Sequence, residues 1–158
     1  MVAARFFFEI RLPMAETVRE QVDVVPEKSN HSLTILAVDD VDLNRMLMRE
    51  YLTALGHQVD VADNGQVCLD MLTDGRRYDV ILMDIRMPVM DGVEAARRIR
   101  AMNDYGATVP IIALTADALR EQLEIYTDAG MTESVAKPFD WPVLLSALAR
   151  VIPSGQPT

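Results

Sequence analysis

Two rhythms of apolar residues run along this chain. From Leu33 onward, short and nearly continuous apolar runs alternate with stretches in which apolar residues recur every three or four positions. Continuous runs are what strands buried on both faces require. The clearest are Leu33 to Val38, Val80 to Met83 and Val109 to Leu114, with weaker candidates at Gln58 to Ala62 and Ser134 to Ala136, so five strands are predicted. Between them, Leu43, Met46, Leu47, Leu52 and Leu55 form one helical stripe and Trp141, Leu144, Leu145 and Leu148 another. Each stripe is expected to face the sheet.

Helix ends support this register. Gly56, Gly75, Gly106 and Gly130 each follow a helical segment, where a left-handed residue closes the last turn. Asp140 can cap the last helix, with Pro142 in its first turn. Strands alternating with helices predict an α/β fold, a doubly wound parallel sheet with helices on both faces. In such sheets the site lies at the carboxyl ends of the strands.

The first residues behave differently. From Arg5 to Leu12, Phe6, Phe8, Ile10 and Leu12 fall on one face and Arg5, Phe7, Glu9 and Arg11 on the other, the pattern of one strand. Pro13 ends it, and residues 13–32 have no sustained apolar period, as in a linker. The expected organisation is an isolated strand in residues 1–12, a linker over 13–32, one domain over 33–153 and a tail over 154–158.

Composition narrows the function. Half of the residues are apolar and a quarter charged, which suits a globular protein with a buried core. A net charge of -9 disfavours a nucleic-acid partner, which calls for a basic surface. Cys68 is the only cysteine, so no internal disulfide can form and a reducing, cytoplasmic compartment fits. Phe6-Phe7-Phe8 is interrupted too soon by Glu9 and Arg11 to be a signal peptide or a membrane span.

The strand ends carry the chemistry. Asp39 and Asp40 follow the first strand, Asp84 the third, Thr115 the fourth and Lys137 the fifth. All five should converge on one edge. Three adjacent carboxylates repel one another, and a divalent cation keeps them ionised at neutral pH. Mg²⁺ suits them, with Mn²⁺ a possible substitute, because it takes hard oxygen ligands and retains waters that a phosphoryl oxygen can displace. Asp84 can then attack the phosphorus of a donor while Lys137 offsets charge and Thr115 hydrogen-bonds a phosphoryl oxygen. Singly, such residues are more often caps or surface positions; together they form a site.

The segments Ile35 to Asp40, Met83 to Gly92 (MDIRMPVMDG), Ala113-Leu114-Thr115-Ala116 and Lys137-Pro138-Phe139 resemble response-regulator receiver domains, and the likeness spans Leu33 to about Ile152. The resemblance implies a flavodoxin-like (βα)5 fold with sheet order 2-1-3-4-5 and phosphoryl transfer from a histidine kinase or histidine phosphotransfer protein. It implies that Asp40 and Asp84 bind Mg²⁺ directly, with the Arg86 carbonyl as a further ligand and Asp39 acting through water. It also implies a cis peptide bond at Lys137-Pro138.

One position departs from that family. Three residues before Lys137, where the family usually has an inward-turning Tyr or Phe, this chain has Ser134. A small hydroxyl cannot fill an aromatic-sized pocket, so weak signalling through that surface, and a phosphoryl-relay role, are expected. Arg86 and Asp117 each lie two residues beyond a site residue and are candidates to pair across the path of hydrolytic water. His31 and His57 lack a helical phosphotransfer context and are expected at the surface.

The run Ala4 to Pro13 is similar to the closing strand of a histidine kinase ATP-binding domain. Kinase, linker and receiver is the order in hybrid kinases, so the expected parent is a hybrid sensor histidine kinase, which could itself be membrane-anchored. A free-standing single-domain regulator is the alternative. An aspartyl-phosphate hydrolase of the haloacid dehalogenase type is a third reading: Asp40-Val41-Asp42 imitates its first motif, but Asn44 stands where that family wants Thr or Val.

Overall fold

The computed structural model describes residues 31–102, 104–138 and 140–152. The strand expected within residues 1–12, most of the 13–32 linker, the 154–158 tail and Phe139 of the last motif lie outside them. Five strands form one parallel sheet: β1 (Thr34–Val38), β2 (Gln58–Ala62), β3 (Val80–Asp84), β4 (Ile111–Thr115) and β5 (Glu133–Ala136). Their order is β2-β1-β3-β4-β5, as the resemblance implied. The helices are α1 (Asp42–Ala54), α2 (Gly65–Thr73), α3 (Gly92–Arg100), the short α4 (Asp104–Thr108), α5 (Arg120–Asp128) and α6 (Trp141–Val151).

The central strands β3 and β4 are buried along their whole length, the reason they read as unbroken apolar runs. Edge strand β2 alternates in exposure, and its sequence signal is correspondingly weaker. The pleat sends alternate residues to two cores. Leu36, Val38, Ile81 and Met83 pack on one face with Leu72 of α2, Ile99 of α3 and Tyr126 of α5. On the other, Ile35, Leu82, Ile112 and Leu114 pack with Met48 and Leu52 of α1 and Leu144 and Leu148 of α6. Stacking of Tyr51 on Trp141, with ring centroids 4.0 Å apart, joins α1 to α6.

Three expectations need correction. The α1 stripe does not face the sheet as a whole: Met48 and Leu52 are fully buried, whereas Leu43, Met46 and Leu47 are about half exposed. Apolar residues surround much of this helix, so periodicity alone mistook the wet face for part of the dry one. His57 is buried rather than superficial, its Nδ1 accepting from the Leu33 N–H at 3.1 Å, and burial lowers its pKa. Gly106 does not close a helix in a left-handed turn; it lies within α4, where a Cβ would fall 2.1 Å from the Ile99 carbonyl oxygen. Gly56, Gly75 and Gly130 do have positive φ.

Arg100 ties the ends of α3 and α5 together. Its guanidinium donates to the Gly130 carbonyl at 2.9 and 2.6 Å and to the Gly106 carbonyl at 2.7 Å. Burial pulls its pKa down, and the three carbonyl contacts explain why a cation is tolerated there. Cys68 is buried, its thiol pushed up to about 12 by burial, which makes it an inert core residue. No helix among the described residues is long and apolar enough to cross a membrane.

Candidate active site

Parallel strands place their carboxyl ends on one edge, and the predicted residues meet there. Asp39 follows β1 directly, Asp84 closes β3, Thr115 closes β4 and Lys137 follows β5. In each case the backbone reaches the edge because the preceding apolar residues anchor the strand between the two cores. Asp39, Asp84 and Thr115 are themselves buried, while Asp40 is exposed.

Lys137 bridges two carboxylates, with Nζ 2.9 Å from Asp39 Oδ2 and 3.1 Å from Asp84 Oδ1. Asp39 is held from several sides: Oδ1 accepts from the Val41 N–H at 2.9 Å, and Oδ2 accepts from the Asn44 amide at 3.1 Å. Arg45 donates to the Asp39 carbonyl at 2.6 Å and pairs with Asp42. These contacts use much of the acceptor capacity of Asp39 and turn it into a fixed internal charge. Asn44 and Arg45 escaped the sequence reading as supports, although their place in the first turn of a helix that starts beside the site could have flagged them.

Electrostatics at the edge are unbalanced. Burial raises the pKa of Asp84 to about 6; the hydrogen bond from Lys137 opposes this, and the negative charge of Asp39 adds to it. Burial lowers that of Lys137, but its bonds to Asp39 and Asp84 outweigh the loss and raise it overall. One ammonium thus serves a set of three carboxylates, and a further cation is wanted. Ligand oxygens of Asp39, Asp40 and Asp84 can be chosen that all lie within 4.8 Å of one another. An all-oxygen donor set of this size and charge fits a hard divalent ion such as Mg²⁺.

Asp40, Val41, Asp84, Ile85, Arg86, Ala116 and Lys137 line an open cleft of roughly 210 Å³ over the acidic cluster. Arg86 is exposed, and its expected pair with Asp117 is not formed. Asp117 instead uses Oδ1 to accept from the Leu119 N–H at 3.1 Å, a local turn that holds its carboxylate to its own loop. The Lys137-Pro138 peptide bond is cis. His31 is exposed. Thr115 turns its hydroxyl toward the Asp117 backbone and Tyr126, a partner the sequence reading did not assign to it.

Comparison with known proteins matches residues 35–149 to the response regulator receiver domain, which covers most of the chain and contains every site residue described above. The chain belongs to the response regulator receiver family. The receiver is 34% identical over 139 residues to the aerobic respiration control sensor protein ArcB of Escherichia coli K12, covering 86% of this chain and 18% of ArcB. It therefore spans less than a fifth of that relative's length. Two-component response regulator ORR41 of Oryza sativa subsp. japonica is 41% identical over 109 residues, which cover 67% of this chain and 84% of ORR41. Among solved structures, the receiver domain of sensor histidine kinase PA1611 from Pseudomonas aeruginosa PAO1 superposes with a TM-score of 0.69 and 41% identity, covering 77% of this chain and 98% of that one. Magnesium is coordinated in the active-site cleft of the PA1611 domain.

Proposed function

We propose that this receiver takes a phosphoryl group from a phosphohistidine onto Asp84. The observation that carries the proposal is the convergence of Asp39, Asp40, Asp84 and Lys137 at one sheet edge, with Lys137 within 3.1 Å of Asp84. In the transfer, the P–N bond to the donor imidazole breaks as a P–O bond to the Asp84 carboxylate forms. The departing nitrogen keeps the electron pair and takes a proton. The product is an acyl phosphate. Lys137 neutralises charge on the transferring group, Asp39 holds Lys137 in place, and Thr115 offers its hydroxyl to a phosphoryl oxygen.

Asp40, Asp84 and the Arg86 carbonyl are the proposed ligands of Mg²⁺, or of Mn²⁺ in its place, with Asp39 behind them. Bound there, the ion supplies positive charge beside the phosphoryl group and allows the carboxylates to stay ionised at neutral pH. Arg86 lines the cleft and Asp117 follows its lining residue Ala116; the two are proposed to tune the lifetime of the acyl phosphate separately, since they do not pair. Ser134 is proposed to affect how the phosphorylated state is reported.

The proposed partner is a histidine kinase or a histidine phosphotransfer protein. Its phosphohistidine must reach Asp84, so the protein that bears it has to cover the rim of the cleft. Val41, Leu43, Met46 and Leu47 are half-exposed on α1 and its approach; Val41 lines the cleft, and Leu47 lines a second hollow with Asn44, Pro138 and Trp141. An apolar patch next to a charged cleft suits an amphipathic helix that carries the donor.

The parent is proposed to be a hybrid sensor histidine kinase, with residues 1–12 as the end of its ATP-binding domain, 13–32 as linker, 33–153 as receiver and 154–158 as tail. The likeness of Ala4 to Pro13 to a kinase closing strand supports this, as does the 41% identity to a receiver that belongs to a sensor histidine kinase. The proposed compartment is the cytoplasm, consistent with a single buried thiol.

Intact-mass analysis after incubation with acetyl phosphate and Mg²⁺ tests the chemistry. The expected result is a gain of one phosphoryl group that is absent in Asp84→Asn and absent without metal. Incorporation that persists in Asp84→Asn would remove Asp84 from the role.

A further inference from the structure

Thr115 Oγ1 sits in a closed set of hydrogen bonds. It accepts from the Asp117 N–H at 2.9 Å and lies 2.9 Å from the Asp117 carbonyl oxygen and 2.8 Å from the Tyr126 hydroxyl. The Tyr126 hydroxyl is in turn 3.4 Å from the same carbonyl. Thr115 and Tyr126 are both buried. A threonine hydroxyl has one proton. Here that proton goes either to the Asp117 carbonyl, with Tyr126 donating to Thr115, or to Tyr126, with Tyr126 donating to the carbonyl. In both arrangements it is already in use.

The fold explains why a tyrosine reaches this point. The β4–β5 register sets Ala113 opposite Ser134, two small residues on the sheet face that α5 covers. Neither fills the core with a large side chain, and Tyr126 of α5 packs in the same core as Ala113 and Met131. The aromatic group missing at position 134 is thus supplied from a helix.

We infer that Tyr126 is a positioning residue for Thr115 and the element through which occupancy of Asp84 reaches α5. Resting on the proposal that Asp84 is the acceptor, the step is an exchange of donors. Thr115 turns its proton from the cluster to a phosphoryl oxygen, and the Tyr126 O–H becomes the one hydroxyl donor to the Asp117 carbonyl, so no buried acceptor is left without a donor. Movement of Tyr126 follows from the 3.4 Å gap it has to close. Ser134 does not silence the receiver; it makes room for a different reporter, and α5 rather than β5 carries the response.

The test uses the full chain with ¹³C-labelled tyrosine, the signal of Tyr126 being assigned by its loss in Tyr126→Phe. Beryllofluoride with Mg²⁺ serves as the phosphoryl mimic, and its occupancy of Asp84 is followed separately by ¹⁹F resonance. In the wild-type chain the Tyr126 ring signal is expected to move with occupancy. Thr115→Ser, which keeps the hydroxyl, should retain the movement, and Thr115→Val, which lacks one hydrogen bond to the mimic and needs more of it for occupancy, should show none once ¹⁹F reports the mimic bound. Tyr126→Phe should weaken beryllofluoride binding about threefold to tenfold, the effect of one lost hydrogen bond. A stationary Tyr126 signal while ¹⁹F shows the mimic bound would overturn the inference, as would an equal movement in Thr115→Val. Absence of bound mimic in the wild-type chain would instead overturn the acceptor role of Asp84, and the inference with it.

Discussion

Lys137 Nζ lies 3.1 Å from Asp84 Oδ1, yet the pKa of Asp84 stands at about 6 rather than below the usual carboxylate range. Burial outweighs the ion pair, and the charge of Asp39 adds to the burden. The site is therefore under electrostatic strain until a cation enters it. Sites that accept charged groups keep such imbalance because the ligand relieves it.

That strain has a sign. A folded-state pKa of about 6 against an unfolded value near 3.9 means that the folded chain binds more protons between these limits. The contribution of Asp84 to the stability of the metal-free receiver should fall as pH rises from about 4 to about 6, by roughly 3 kcal/mol at most. Asp84→Asn should lose this part of the pH dependence and be the more stable protein at pH 7 in the presence of chelator. Urea denaturation across pH 4.5 to 7.5 measures it; parallel profiles for the two proteins would refute the assignment.

Metal should reverse the penalty. At a Mg²⁺ concentration 100 times its dissociation constant, the wild-type receiver is expected to gain about 2.7 kcal/mol through binding to the folded state alone. Asp40→Asn, whose side chain is exposed, should fold as well as the wild type and lose most of that gain. Thermal unfolding with Mg²⁺ and with chelator separates the two proteins. Equal stabilisation of both would take Asp40 out of the ligand set.

Val89 is a second point of strain, in the backbone. It has φ 70°, is 81% exposed, and centres a three-residue turn in which the Met90 N–H donates to the Pro88 carbonyl at 2.8 Å. A β-branched residue is poorly suited to that conformation, whereas asparagine tolerates it. Val89→Asn should raise stability by about 1 kcal/mol. A higher urea midpoint with unchanged slope is the expected readout, and a lower midpoint would count against the strain.

The α1 rim separates chemistry from recognition. Replacing Leu43 and Leu47 together by Ala removes half-exposed apolar groups and leaves the buried Met48 and Leu52 untouched. Labelling by acetyl phosphate should be unchanged, while transfer from a phosphorylated histidine phosphotransfer protein should slow about tenfold or more. Equal slowing with both donors would place the effect in the fold instead.

Much of this molecule was legible in the sequence because its strands are buried on both faces. Val80 to Met83 and the run ending at Leu114 could be nothing but core, and in a parallel sheet that alone puts Asp84 and Thr115 on one edge. The acidic cluster and Lys137 followed from the same logic, and the order of the strands from the family resemblance. What the sequence alone left open were the choices between two admissible partners. Helix α1 has apolar residues around much of its surface, and only packing against β1 and α6 selected Met48 and Leu52 over Leu43, Met46 and Leu47. Asp117 met its own loop before it could reach Arg86. Ser134 announced a missing aromatic, but that Tyr126 of α5 would meet the Thr115 hydroxyl at 2.8 Å depended on how α5 packs against β4. Periodicity reports which residues avoid water; which of them touch is decided by the distances between elements that only the assembled sheet and helices set.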